Sequence, residues 1–271
     1  MTSQNVNPEI LIVAAEESSA FYAQRLLEHW QSESKPVRAF GVGSRKMEEL
    51  GFERIGTSEE MAVVGLQEVL SHYSTIRQTF FKILEQAKAR QPRFALLLDY
   101  PGFNLRLAKR LKKLGIPVVY YISPQVWAWK SSRTQQIKQF VDKMLVLFPF
   151  EKDYYEKHQV PVEFVGHPLL DEIDDSLFDS QARYLYRARY GVTDEHQVLA
   201  LMPGSRKSEL KHHLETQLQV AQNLHKQNPQ LRVALLVAPS FDKAEVQQML
   251  PEFKFPLMLV QDNPLSMIHL A

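Results

Sequence analysis

Asp99 closes an unbroken apolar run, Phe94-Ala-Leu-Leu-Leu98, and precedes Tyr100-Pro101-Gly102. A short apolar run bounded by turn residues reads as a buried strand. Asp99 is therefore expected half-desolvated at a strand's carboxyl end. Lost hydration disfavours the ionised form and raises a carboxyl pKa, which suits the group to general-base work. The competing reading is an Asp that caps a strand-to-helix turn. A second constellation is MPGSRKSE, Met202 to Glu209, after another apolar run. Pro203-Gly204 makes the turn, Ser205 and the following helix amides can receive an anion, and the planar fork of Arg206 can grip a phosphate. Against this stands an ordinary loop with a surface arginine. A third segment, Ser123-Pro-Gln125-Val-Trp127-Ala-Trp129, holds two of the three tryptophans. Residues i and i+2 of an extended chain share a face, so Trp127 and Trp129 can form one apolar wall for a sugar or an acyl chain. Two core-packing indoles are the alternative. His167, between Gly166 and Pro168, is placed to donate to a substrate hydroxyl or phosphate, although a lone loop histidine is more often structural.

Other chemistries find no support. The 271-residue chain has no cysteine, which removes disulfides, thiolate metal sites and a Cys nucleophile. Nine histidines are scattered without metal-ligand spacing, and no two Asp are separated by one residue, so no metal is expected. A net charge of +1 makes no bulk case for nucleic acid. The opening MTSQNVNPEI lacks the basic and apolar stretches of a signal peptide. No window approaches the roughly 18 apolar residues of a spanning helix. The expectation is a soluble chain, or one bound to a membrane only at its surface.

The elements that must position these residues alternate. Strands are expected at Ile10–Ala14, Val37–Val42, Phe94–Leu98, Pro117–Ile122 and Met144–Leu147. Helices are expected at Ser18–Trp30, at Leu66–Arg90 with a break near Ser71, at Leu105–Leu114, Ser131–Phe140 and Glu151–His158. Apolar strands that do not alternate with polar residues argue for a parallel sheet covered on both faces. Right-handed crossovers then give a doubly wound α/β fold, whose ligands bind beyond the carboxyl ends of the strands. Glu16–Ser19, Gly41–Arg45, Asp99–Asn104 and Ser123–Trp129 are all expected at that edge. Gly166–Ser180 reads as a link to a second unit, with strands at Val198–Met202, Arg232–Ala238 and Leu257–Val260 and helices at Lys207–Gln227, Phe241–Leu250 and Pro264–Ala271. Basic amphipathic stretches at Phe103–Leu114 and Tyr73–Arg90 read as outer helices of the layer, with a membrane-surface role as the alternative.

Five segments occur in the order and approximate spacing of lipid-A-disaccharide synthases: Asp99-Tyr-Pro-Gly-Phe-Asn104, Tyr121-Ile-Ser-Pro-Gln-Val-Trp-Ala-Trp129, Leu147-Phe-Pro-Phe-Glu151, Phe164-Val-Gly-His-Pro168 and Met202-Pro-Gly-Ser-Arg206. Val63–Leu70 resembles a further family segment. The sequence resembles this family along nearly its whole length, and SPQVWAW is highly specific.

The resemblance implies a GT-B-like fold, with an acceptor-side Rossmann-like domain over residues 1–170 and an incomplete nucleotide-sugar (donor) domain over residues 171–271. It implies a metal-free, cofactor-free inverting glycosyltransferase of lipopolysaccharide lipid A biosynthesis. Such an enzyme joins UDP-2,3-diacylglucosamine to 2,3-diacylglucosamine 1-phosphate (lipid X), forms the β-1,6 disaccharide and releases UDP. By resemblance Asp99 is the base for the acceptor's 6-hydroxyl, and Arg206 stabilises charge on the departing UDP. Ser18 and Asn104 help shape the acceptor side, and the SPQVWAW segment lines the cleft. The implied place is the cytoplasm, at the cytoplasmic face of the inner membrane. Family members continue past the point matching Ala271, so a second chain that completes the donor domain is an expected partner. The family's Gly-Glu-x-Ser-Gly-Asp loop is Ala15-Glu16-Glu17-Ser18-Ser19-Ala20 here. The alternative function is therefore a truncated, non-catalytic relative that binds acylated sugar phosphates or a partner chain.

Overall fold

The computed structural model describes residues 9–34, 37–61, 66–126, 132–171, 173, 179–262 and 264–271. The chain forms two compact units, Met1–Pro168 and Leu169–Ala271. In the first, the elements follow as β1 (Glu9–Ala14), α1 (Glu17–Ser32), β2 (Arg38–Gly43), α2 (Arg45–Glu49), β3 (Glu53–Thr57), α3 (Ser58–Met61), α4 (Leu66–Arg90), β4 (Phe94–Leu98), α5 (Pro101–Lys113), β5 (Val118–Tyr121), α6 (Ser132–Phe140), β6 (Lys143–Val146), α7 (Pro149–Lys157) and β7 (Val162–Phe164). The seven strands pair in parallel in the order β3-β2-β1-β4-β5-β6-β7. The direction of strand order reverses at β1 and β4, the topological switch point of a doubly wound sheet.

The absence of alternation in the strand sequences has a direct structural cause. On β1, Leu11 and Val13 face one layer with Ile83, Leu107 and Leu111, while Ile10, Ile12 and Ala14 face the other with Ala20, Leu27 and Met47. Both faces of the strand are buried, so each position must be apolar. Leu97 and Leu107 are wholly buried, and truncation of either to Ala is expected to cost about 2–5 kcal/mol. Gly41 is required at its place in β2: its φ is +138°, and a Cβ would lie 2.1 Å from the Ile12 carbonyl oxygen.

Three expectations are corrected. Leu66–Arg90 is a single 25-residue helix, without a break at Ser71. α5 begins at Pro101 rather than Leu105, because proline needs no amide partner at the first helical position. β3, Glu-Arg-Ile-Gly-Thr, was not anticipated; it is an edge strand and carries no continuous apolar run.

The second unit holds α8 (Ser180–Arg189), β8 (Gln197–Leu201), α9 (Lys207–Gln227), β9 (Leu231–Leu236), α10 (Lys243–Gln248), β10 (Leu257–Val260) and α11 (Pro264–Leu270). Its parallel strands are ordered β10-β9-β8. Leu210, Leu214 and Leu218 of α9 and Val246 of α10 cover one face of this sheet. Tyr186 and Tyr190, with Met267 and Leu270, pack on the other. α8, absent from the sequence expectation, therefore supplies part of one covering layer. Its first turn is capped by Asp179, whose carboxylate accepts from the Gln181 and Ala182 amides.

Candidate functional site

The chain leaves β4 through two consecutive left-handed residues, Asp99 at φ +46° and Tyr100 at φ +44°. Each costs an L-residue roughly 1–2 kcal/mol, so the turn persists only because its surroundings hold it. Asn104, fully buried on the first turn of α5, donates from Nδ2 to the carbonyl oxygens of Leu98 (3.0 Å) and Asp99 (2.8 Å). Tyr120 on β5 donates its hydroxyl to the same Asp99 oxygen at 2.5 Å. Burial pushes the Tyr120 pKa well up, so this donor stays protonated. The Tyr100 ring packs against Phe103, and Phe103 against Phe80 of α4. The result is a partly buried Asp99 on a rigid, strained platform at the carboxyl edge.

Beside it lies a cavity of about 360 Å³, lined by residues from the ends of three adjacent strands. Asp99 and Pro101 follow β4, Ile122 to Val126 follow β5, Leu147, Phe148, Phe150 and Glu151 follow β6, and Arg133 comes from α6. Ile122 is also left-handed, at φ +68°, which is a strong outlier for a β-branched residue. Ser123 is held by Tyr155, whose hydroxyl lies 2.7 Å from its Oγ. Glu151 is buried, and its Oε2 accepts from the Leu147 and Phe148 amides at 3.2 and 3.1 Å. Burial raises its pKa, and the two amide donors act in the opposite direction. At the cavity wall Phe148 and Phe150 stack at 5.7 Å and remain about half exposed.

Asp99, Ser123 and Gln125 thus meet in one cavity. Trp127 and Trp129 lie outside the described residues, as does the Val63–Gly65 part of the further segment. Asn104 is turned inward; its visible work is to hold the Asp99 turn. Ser18 is exposed on the first turn of α1 and does not line the cavity. The neighbouring Ser19 is buried instead, and its Oγ accepts from the Glu16 amide at 3.0 Å and donates to the Glu16 carbonyl at 2.8 Å. Gly41–Arg45 also stay outside the cavity lining. His167 lies between the rings of Phe148 and Tyr22, at 5.5 and 6.3 Å. Phe103, Leu107 and Leu111 of the basic stretch are buried against the first sheet, which is the outer-helix arrangement.

In the second unit the Gly204-Ser205-Arg206 turn is occupied by the chain's own carboxylate. Glu209 accepts at Oε2 from the Ser205 and Arg206 amides (3.0 and 3.2 Å), and at Oε1 from the Arg206 guanidinium (2.9 Å). The Ser205 amide, then that of Arg206 and its guanidinium, lower the Glu209 pKa. A carboxylate already sits where the loop can receive an anion.

The sequence reading did not single out Arg133, Phe148, Phe150 or Glu151 as site residues. Glu151 had a detectable signal: an acid three residues into a helix that opens at a strand end. Arg133 had none, because only the tertiary fold carries α6 to the β4 and β5 ends.

The scaffold is a GT-B-like, doubly wound α/β fold. UDP-GlcNAc 2-epimerase from Neisseria meningitidis, solved with UDP-GlcNAc, superposes with a TM-score of 0.61 at 10% identity over 96% of this chain and 75% of that one. The S. aureus MnaA–UDP structure gives 0.60 at 13% identity over 97% and 70%. These likenesses concern the fold alone. The family follows from sequence: the lipid-A-disaccharide synthetase (LpxB) profile matches residues 10–268, and the chain belongs to that family. It is 40% identical over 254 residues to the lipid-A-disaccharide synthase of Trichlorobacter lovleyi, covering 94% of this chain and 65% of the relative. It is 39% identical over 260 residues to that of Nitrosococcus oceani, covering 96% and 66%. The chain therefore spans just under two thirds of these relatives' length.

Proposed function

We propose that this chain provides the acceptor-binding and base-bearing part of a lipid-A-disaccharide synthase, with the second unit contributing to the donor site. The enzyme transfers diacylglucosamine from UDP to the 6-hydroxyl of 2,3-diacylglucosamine 1-phosphate. The observation that carries the reading is the position of Asp99: a carboxylate on a clamped, strained turn, opening into a cavity beside Ser123 and Gln125. An inverting displacement needs a base on the face opposite the leaving group, and a rigid mount keeps that base in line with the attacking oxygen. Arg206 stabilises the charge of the departing UDP from its turn at the start of α9. His167, Trp127 and Trp129 serve acceptor binding in the same scheme. In a preparation competent for disaccharide formation, Asp99→Ala should abolish transfer; undiminished turnover would reject Asp99 as the base.

The second reading, a binding relative without catalysis, is favoured by the closed start of α1. The family's glycines in that loop are replaced by residues that are buried here, Ala15 and Ser19. Disaccharide formation by the purified chain alone would remove this reading, and its absence until a partner chain is added would support a split enzyme. Among the described residues no helix is long and apolar enough to cross a membrane. Action at the cytoplasmic face of the inner membrane, where the acylated substrates reside, belongs to the same proposal. Flotation with anionic liposomes tests it, and failure to float would count against surface binding.

A further inference from the structure

Arg133 is the second residue of α6 and lines the Asp99 cavity. It is partly buried, yet among the described residues it donates no hydrogen bond and forms no ion pair. Among the described residues the other two charged groups of the cavity wall are Asp99 and Glu151. The Glu151 carboxylate is committed to the Leu147 and Phe148 amides, which satisfies the start of α7. No acidic side chain falls in the first turn of α6 to balance the guanidinium. A cation at a helix N-terminus opposes the helix dipole, and an anion bound beside it relieves that opposition. α5, whose first residue Pro101 also lines the cavity, presents a second helix start to the same space.

We infer that Arg133 forms the anion subsite of this cavity and takes the phosphate monoester of a sugar phosphate whose hydroxyl faces Asp99. The guanidinium fork matches two phosphate oxygens, and the dipoles of α6 and α5 add to the attraction instead of opposing it once the anion is bound. A cavity of about 360 Å³ is within the range of small-ligand sites and has room for a sugar ring bearing one phosphate. The inference rests on the proposed function for the identity of the sugar, but not for the anion.

Isothermal titration of the chain with inorganic phosphate, glucosamine 1-phosphate and glucosamine separates the sources. Glucosamine 1-phosphate should bind more tightly than the other two. Arg133→Gln should weaken both phosphate ligands by about ten- to a hundredfold, the range for a charge-assisted contact, and leave glucosamine unchanged. Lys138→Gln removes one charge from the exposed side of the same helix and should change nothing. Unaltered glucosamine 1-phosphate binding in Arg133→Gln, or an equal loss in Lys138→Gln, would overturn the subsite. Should Arg133→Gln fail to fold, amide shifts of the unaltered chain with glucosamine 1-phosphate decide: shifts at Arg133 and Ser123–Val126 support it, and shifts confined to Ser205–Arg206 refute it. Arg133-dependent phosphate binding with no preference for the sugar phosphate would keep the anion subsite and discard the sugar-phosphate acceptor.

Discussion

The Asn104 carboxamide grips Asp99 by its backbone, donating to the Asp99 carbonyl at 2.8 Å and to that of Leu98 at 3.0 Å. Among the described residues the side-chain oxygen of Asn104 is buried without a hydrogen-bond partner. The residue is therefore valuable for its two donors alone, and it bears the cost of an unpaired acceptor to supply them. Asn104→Leu should lower stability by about 1–3 kcal/mol, because the Leu98 carbonyl loses this donor and the Asp99 carbonyl is left with that of Tyr120. Urea unfolding reads that loss. Disaccharide formation should fall further than the folded fraction does, since the left-handed turn under Asp99 loses its clamp.

Asp99→Asn separates charge from conformation. Asparagine tolerates the left-handed region at least as well as aspartate. Stability should stay within about 0.5 kcal/mol of the parent, while transfer drops by roughly 10²–10⁴, the usual contribution of a general base. A melting curve and an initial-rate assay on the same preparation suffice. An active Asp99→Asn protein would move the base elsewhere.

Glu151 should make stability depend on pH in an unusual direction. Burial raises its folded pKa above the ordinary 4.5, so the folded chain holds this proton to higher pH than the unfolded chain. The corresponding stability is fully present below the unfolded pKa and is lost as pH rises through the folded one. Glu151→Gln removes the titration and keeps an acceptor for the Leu147 and Phe148 amides. Relative to this variant, the parent should lose stability as pH rises from the ordinary carboxyl value of 4.5 through the raised folded pKa. Parallel curves across that interval would contradict the assignment.

Gly204→Ala should disable the second unit's turn. Gly204 has φ +126°, and an added Cβ would stand 2.5 Å from the Glu209 Cβ. The strain is expected to cost about 1–3 kcal/mol, read by thermal unfolding. Glu209→Gln is the complementary change: with the carboxylate gone from the Ser205 and Arg206 amides, UDP should bind several-fold more tightly by calorimetry. Weaker UDP binding in Glu209→Gln would show that the carboxylate organises the turn rather than competing for it.

The layers were legible because their causes are local. Phe94–Leu98 and Leu257–Val260 are apolar runs set between turn or polar residues, and the structure has strands with those limits. Lys207–Gln227 keeps its apolar positions on one buried stripe through Leu210, Leu214 and Leu218, and it is a helix over that range. β3 escaped notice because an edge strand has one paired side and needs no continuous apolar run. α8 follows the expected link Gly166–Ser180 and carries no buried apolar stripe to mark it; its aromatic contacts, Tyr186 and Tyr190, lie among arginines.

The sequence by itself determined that a doubly wound parallel sheet would form, and that Asp99, Ser123 and Gln125 would emerge at its carboxyl edge. Burial on both faces and the position of each strand's end are written in short stretches of residues. The family is likewise written in contiguous motifs. Tertiary structure alone decided what shares the cavity with Asp99. Arg133 and Glu151 reach it from α6 and α7, and Asn104 and Tyr120 converge on one carbonyl from a helix and a neighbouring strand. Those meetings depend on strand order and on backbone reversals at Asp99, Tyr100 and Ile122, where packing overrides the local conformational preference of each residue.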